Sequence, residues 1–273
     1  MSIEETVVKH YEHGALEGAL LEALKRAGKN VDTLSHADLA LVDEFHIGGR
    51  PATRELGAQV DLPPGSRVLD VGCGIGGPSR YFAAERGWKV EGVDLTPEYV
   101  AVAQSLSRRV GLDQSVTYRV ASATVLPFAD ESFDGAYMLH VGMNIADKKA
   151  VFTEVKRVLK PGGIFAIYDA MRSSDDAFIY PVAWSSEPAT NHIASPATYK
   201  SALTAAGFTL VAERNRVEFA LESMQRRAAT AGQPGIGPPV VMGPTAPQKV
   251  ANMIELMKRG VFAPTEIIAR RAA

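Results

Sequence analysis

Val68 to Tyr81 reads VLDVGCGIGGPSRY, and Asp94 follows in VEGVDLTPEYV. Gly72, Gly74 and Gly77 fit the spacing G-x-G-x-x-G. Glycines at such a bend let the backbone approach a ligand closely, and an acid at the tip of the next strand accepts both hydroxyls of a ribose. The chemistry on offer is nucleoside binding. Asp70, two residues before Gly72, narrows it. A carboxylate there is badly placed beside a pyrophosphate and well placed beside an ammonium or sulfonium group. The bland alternatives are a plain tight turn for the glycines and, for Asp94, a helix cap shared with Thr96.

Several side chains could move protons or hold a substrate. His140 ends an apolar strand, with Asn144 four residues on in HVGMNIADK; His46 lies in FHIGGRP; His192 lies in WSSEPATNHIASP. Each histidine is a candidate base. Each also has a quieter reading: a hydrogen bond to the ligand for His140, loop fixing for His46, a surface or lid position for His192. His10, His13 and His36 read as solvent-facing. Phe178, Tyr180 and Trp184 form an aromatic cluster that stacks on a ring, surrounds a cation or packs a lid. Tyr11 either reaches over the ligand or sits at the edge of an amphipathic helix. Cys73, inside the glycine turn, reads as packing, since no activating base is near it in sequence.

These residues need elements to position them. Residues 2–60 read as helical: one helix from His10 to Ala27, a second that Ser35 caps and that runs to Phe45, and a third from Ala52 to Gln59. From Ser66 strands alternate with helices, which argues a parallel sheet covered on both faces. Strands are expected near 67–71, 89–93, 116–120, 133–139, 163–169 and 208–214, with a final strand at 266–269. Helices are expected near 77–86, 97–110, 147–159, 196–206 and 246–259, and again in EFALESMQRRAA. Residues 230–247 hold five prolines and four glycines, too many for regular structure. That stretch reads as a mobile lid or as a passive loop. The expected architecture is α/β: a Rossmann-like, doubly wound, mostly parallel sheet with a helical N-terminal cap (1–60), a main domain (61–273) and a helical lid insertion (215–260) before the last strand.

Composition bounds the partners. The net charge is −2, and Lys25-Arg26, Arg108-Arg109, Arg226-Arg227 and Arg270-Arg271 are scattered pairs, so nothing attracts nucleic acid. Cys73 is the only cysteine, which excludes an intrachain disulfide and a cysteine-rich metal site and fits the cytoplasm. No metal site is expected. No apolar run suits export or a membrane span. A homodimer remains an open expectation.

Two further stretches complete a pattern: LPFADESFDGAYM (126–138), an apolar floor followed by an acid-led strand, and VKRVLKPGGIFAIYDA (155–170), a helix that ends at Pro-Gly-Gly and launches a strand. With the glycine turn, Asp70 and Asp94, they resemble the class I S-adenosylmethionine-dependent methyltransferases, within the group of ubiquinone/menaquinone, tocopherol and sarcosine/dimethylglycine methyltransferases. The resemblance covers Val68 to Ala170. It implies that S-adenosylmethionine is the cofactor and that a small molecule is methylated: a quinone or phenol-like ring, an isoprenoid carbon or an amine. It implies that Gly72 and Gly74 pass under the methionine part, that Asp70 lies near its ammonium group, that Asp94 takes the ribose and that Leu95 lies against the adenine. Leu139 and His140 should face the methionine end. In VASATVLPF the family usually has an Asp and a small residue; here Ser122 and Ala123 stand in, and the adenine amino group loses a carboxylate acceptor. His140, His46 and Asn144 are the catalytic candidates, Tyr11 a further cofactor contact, and Tyr180, Trp184 and His192 the substrate candidates. The rival readings are an NAD(P)-dependent oxidoreductase on the same sheet and a cofactor-binding protein without catalysis.

Overall fold

The protein is described here by a computed structural model covering residues 3–12, 14–230 and 239–272. Four helices come first: α1 (Ile3–Tyr11), α2 (Leu16–Arg26), α3 (His36–Leu39) and α4 (Gly49–Gly57). The alternating core follows as β1 (Arg67–Val71), α5 (Gly77–Arg86), β2 (Lys89–Asp94), α6 (Pro97–Arg109), β3 (Val116–Val120), β4 (Phe133–Leu139), α7 (Lys148–Val158), β5 (Leu159–Arg172), α8 (Pro196–Ala205) and β6 (Phe208–Asn215). Then come α9 (Val217–Thr230), α10 (Pro239–Met242), α11 (Ala246–Lys258) and β7 (Phe262–Arg271).

The seven strands pair in the order β3-β2-β1-β4-β5-β7-β6. β1 through β5 run parallel, and β7 lies antiparallel between β5 and β6. The sheet is therefore doubly wound and mostly parallel, as its sequence pattern indicates. Period-two alternation explains why it is buried on both faces. In β5, Phe165 and Ile167 point into one core layer while Ile164, Ala166 and Tyr168 point into the other. Full burial of such a side chain is worth about 1.5–3 kcal/mol. The chain leaves β1 toward β2 and later returns to place β4 on the other side of β1. That reversal opens a crevice at the carboxyl ends of β1 and β4, the usual ligand position in such sheets.

Several element boundaries differ from the sequence expectation. The helix expected from His10 to Ala27 is broken: the amides of Gly14 and Leu16 donate to the Glu98 carboxylate of α6, so a distant acid ends one helix and starts the next. The helix expected from Ser35 to Phe45 is one turn, closed by a capping box of Ser35 and Asp38. The helix expected from Ala52 starts at Gly49, after Gly48 turns the chain with φ 88°. β5 begins at Leu159 and continues to Arg172, and the last strand runs well beyond 266–269, because β7 has partners on both edges. Of the stretch 230–247, residues 231–238 lie outside the described residues. Within the remainder, Pro239–Met242 forms a helical turn and α11 starts at Ala246, so regular structure intrudes where none was expected.

Candidate functional site

The glycine turn after β1 is pinned from below. The amides of Gly72 and Cys73 both donate to the Val93 carbonyl of β2. Gly72 has φ 74°, and a Cβ there would meet the Val141 side chain at 2.4 Å. Gly74 has φ 52°, and a Cβ there would project into open space. Bare backbone thus faces a cavity at this point. Asp94 braces the turn: Oδ2 accepts the Gly74 amide at 2.9 Å and Oδ1 the Thr96 amide at 2.9 Å. The helix-cap role and a ligand role are compatible, since each carboxylate oxygen keeps a lone pair. Cys73 is buried, and burial pushes its thiol pKa up, which removes it from nucleophilic chemistry.

Asp70 is buried at the tip of β1. Oδ2 accepts Ser79 Oγ at 2.6 Å and Tyr137 OH at 2.9 Å, and among the described residues no donor reaches Oδ1. Burial is the main cause that pushes its pKa up to about 7, against the pull of those two hydroxyls. Asp94 is also pushed up by burial.

The cap closes the cavity from above. Tyr11 of α1 donates from OH to Asn144 Oδ1 at 3.4 Å, which ties the first helix to the turn after β4, and burial raises its phenol pKa. Asp43 approaches the start of α5 so closely that a Cβ on Gly77 would meet the Asp43 carbonyl oxygen at 2.2 Å. Arg80, fully buried, donates to Asp43 Oδ2 at 2.8 Å and to the Ile75 carbonyl at 2.8 Å. His46 Nε2 contacts the Gly49 carbonyl and Thr53 Oγ1, both at 3.0 Å, with Glu44 Oε2 at 3.5 Å.

His140 holds a left-handed backbone, φ 54°, and its amide donates to the Tyr168 carbonyl at 2.7 Å. Its ring stands edge-on to Tyr168 at 4.7 Å and lies 6.0 Å from the His46 ring. Neither ring nitrogen has a hydrogen-bond partner. Burial, helped by His46, lowers its pKa well below the usual imidazole value, so the ring is neutral near pH 7.

One cavity of about 830 Å³ joins these groups, a volume suited to a cofactor and an acceptor together. Asp70, Gly72, Gly74, Asp94, Leu95, Ser122, Ala123, Leu139, Tyr11, His140, His46 and Asn144 all line it. Trp184 lines it too. Tyr180 and His192 are not among its lining residues. The Tyr180 hydroxyl accepts from Asn191 Nδ2 and its ring packs on Phe178. The His192 amide donates to the Met143 carbonyl and its own carbonyl accepts Lys148 Nζ, so the residue ties loops together. His10, expected in solvent, lines the cavity, with Nε2 3.2 Å from the Ala183 carbonyl. His36 bonds Glu85. His13 lies outside the described residues.

Sequence reasoning missed three groups of site residues. Glu4 of α1 lines the cavity beside Ser122. Met143, Met224, Met242 and Met253 form an apolar end with Trp184 and Val250. Asp169, buried below the turn at 142–144, accepts Tyr199 OH at 2.7 Å and so holds the turn that carries Asn144. A run of methionines across 224–253 was the one local signal for the second group.

The wall fits S-adenosylmethionine. Asp43, Asp70 and Asp94 lie around the glycine turn, bare backbone faces the space at Gly74, and among the described residues no hydrogen bond reaches Asp43 Oδ1 or either His140 ring nitrogen, all buried. Among the described wall residues Lys249, at the methionine end, is the only lysine or arginine. Among the described residues, no group of His, Cys, Asp and Glu could hold a metal, and no helix is long and apolar enough to cross a membrane.

Comparisons agree with this geometry. Residues 69–167 match the family described as Methyltransferase domain. The chain is similar to the methyltransferase GfsG of Streptomyces halstedii, 36% identical over 132 residues, covering 48% of each chain. It is similar to phosphoethanolamine N-methyltransferase 1 of Arabidopsis thaliana, 36% identical over 182 residues, covering 66% of this chain and 36% of that one. The matches thus span less than half the length of these relatives. In fold it is similar to the geranyl diphosphate C-methyltransferase of Streptomyces coelicolor A3(2), with TM-score 0.73, 19% identity and coverage of 100% and 99%. The match to a methyltransferase domain thus falls on residues 69–167, the stretch that carries β1 to β5 and the glycine turn.

Proposed function

We propose that the chain transfers a methyl group from S-adenosylmethionine to a small, largely apolar acceptor. The observation that carries this reading is the charge of the cavity wall. Two carboxylates, those of Asp70 and Asp94, flank the glycine turn without a basic partner, the third, Asp43, is paired with Arg80, and the lone described lysine of the wall, Lys249, is held on the Met242 carbonyl. Such a wall attracts a sulfonium and an ammonium group and repels the pyrophosphate of a dinucleotide. S-adenosylmethionine, when bound, supplies an already activated methyl group for in-line displacement. What remains for the protein is alignment and exclusion of water. Asp94 holds the ribose, Asp70 offers Oδ1 to the ammonium group, Leu95 and Ala123 flank the base, and Leu139 lies beside the methionine. Tyr11 and Asn144 close the space above. His140, neutral and unpartnered, takes a proton from an acceptor hydroxyl or enol, and His46 fixes the loop beside it.

The methionine-rich end favours an isoprenoid or a ring with an apolar tail over a small amine. Methionine side chains are unbranched and deform around irregular apolar groups. On this reading residues 1–60 are a cap, 61–273 the transferase unit and 215–260 its lid. The setting is the cytoplasm, nucleic acid is not a partner, and the assembly is a homodimer, which light scattering tests. The lone buried cysteine and the net charge of −2 support the setting and the absence of nucleic acid.

Calorimetric titration with S-adenosylhomocysteine and with NADH tests the cofactor. Saturable binding of the first and none of the second is expected; the reverse would sink the reading in favour of an oxidoreductase. Transfer of labelled methyl is then measured to prenyl diphosphates, prenylated hydroquinones, phenols and amines. Affinity with no transfer to any of them would leave a non-catalytic binding protein.

The affinity should also depend on pH. Asp70, with a pKa of about 7 in the free protein, must be ionised to meet an ammonium group, which lowers its pKa on binding. Binding therefore tightens as pH rises through 7 and weakens as it falls. A severalfold drop in Kd for S-adenosylhomocysteine is expected between pH 6 and 8, with a flat profile in Asp70→Asn. A flat profile in the unmodified protein would remove Asp70 from the ammonium site.

A further inference from the structure

Ser122 stands where an acid would serve the base of the nucleoside. Its Oγ donates to Glu4 Oε1 at 2.5 Å, across 118 residues of sequence. Ser122 is itself held, with Thr124 Oγ1 at 2.7 Å and the Thr124 amide donating to it at 3.1 Å. Glu4, Ser122 and Thr124 all line the cavity, and Ser122 lies two residues beyond Val120, the strand partner of Asp94. Among the described residues no donor reaches Glu4 Oε2. A carboxylate oxygen is thus presented to the cavity by α1, beside the chain segment that follows the strand partner of Asp94.

We propose that Glu4 accepts the exocyclic amino group of the adenine, in the role that the chain's own post-β3 segment leaves to a serine. An amino group donates two hydrogen bonds, and a carboxylate oxygen accepts them well; a base with a carbonyl at that position would face the carboxylate with an acceptor instead. Ser122 is then a positioning residue, whose hydroxyl locks the Glu4 side chain. The same helix carries Tyr11, bonded to Asn144, so base recognition and closure of the cavity fall on one element. This inference rests on S-adenosylmethionine being the cofactor.

The test compares S-adenosylhomocysteine with S-inosylhomocysteine, whose base carries a carbonyl in place of the amino group. In the unmodified protein the adenine form should bind at least tenfold tighter. Glu4→Ala should weaken the adenine form about tenfold, the lower range for a hydrogen bond to a charged acceptor at an exposed position, and leave the inosine form unchanged or tighter. Adding Ser122→Asp to Glu4→Ala should restore the preference, which a merely structural role of Glu4 would not allow. Equal loss for both ligands, or no change in their ratio, overturns the assignment of Glu4 while the cofactor reading stands. Failure of the unmodified protein to bind S-adenosylhomocysteine overturns both.

Discussion

His140→Asn lowers turnover about a hundredfold or more and leaves the affinity for S-adenosylhomocysteine within about twofold, because general-base assistance is worth roughly 10²–10⁴ in rate. Asparagine is chosen because the site has φ 54°, a conformation it tolerates better than alanine. The replacement keeps a polar side chain and removes the titratable nitrogens. Burial holds the imidazole neutral, and its two nitrogens are unsatisfied until an acceptor arrives. As the acceptor oxygen shares its electrons with the methyl, its own proton becomes more acidic, so even a weakly basic neutral ring can take it. Since the pKa lies well below the usual value, kcat at saturating cofactor should hold through mildly acidic pH and fall when the ring becomes protonated. Measured kcat and Kd for both proteins decide the matter. An equal loss in the two would make His140 a cofactor ligand.

Arg80→Ala costs about 3–5 kcal/mol of stability, the usual result of leaving one member of a buried ion pair alone. Arg80 has no solvent exposure and bridges Asp43, the Ile75 and Ala103 carbonyls and Ser107 Oγ. Asp43 is only 3% exposed, so water cannot replace the guanidinium. For a protein of ordinary stability, about 5–15 kcal/mol, this is a large share. Urea unfolding measures it. Arg80→Met combined with Asp43→Leu should recover most of the loss, since replacing both partners with apolar groups removes the uncompensated charge. If Arg80→Ala unfolds at the midpoint of the unmodified protein, the pair is not desolvated in solution. Because Asp43 belongs to the cap and Arg80 to α5, the single variant should also loosen the cap and raise the Kd for cofactor.

The strand positions and the glycine turn were legible because their signals are local. Asp70, Gly72, Gly74 and Asp94 follow one another closely along the chain, and short apolar runs bounded by turn residues mark the two strands that carry the acids. Contacts between distant segments left no such mark. Glu4 meets Ser122 across 118 residues, Tyr11 meets Asn144 across 133, and Arg80 meets Asp43 across 37. The break between α1 and α2 depends on Glu98, which no window around Gly14 contains. Tyr180 and His192 flank Trp184 in sequence and shared its expectation, yet only Trp184 is among the residues that line the cavity, a difference that no local pattern in the chain encodes.

β7 carries a consequence for biosynthesis. It is made after every other strand, yet it occupies an interior lane between β5 and β6. Until residues 262–271 clear the ribosome, β6 has no neighbour and β5 shows one edge of unpaired amides and carbonyls. Nascent chains stalled before Val261 emerges should therefore be digested readily by protease between β5 and α9, and chains released past Arg271 should resist.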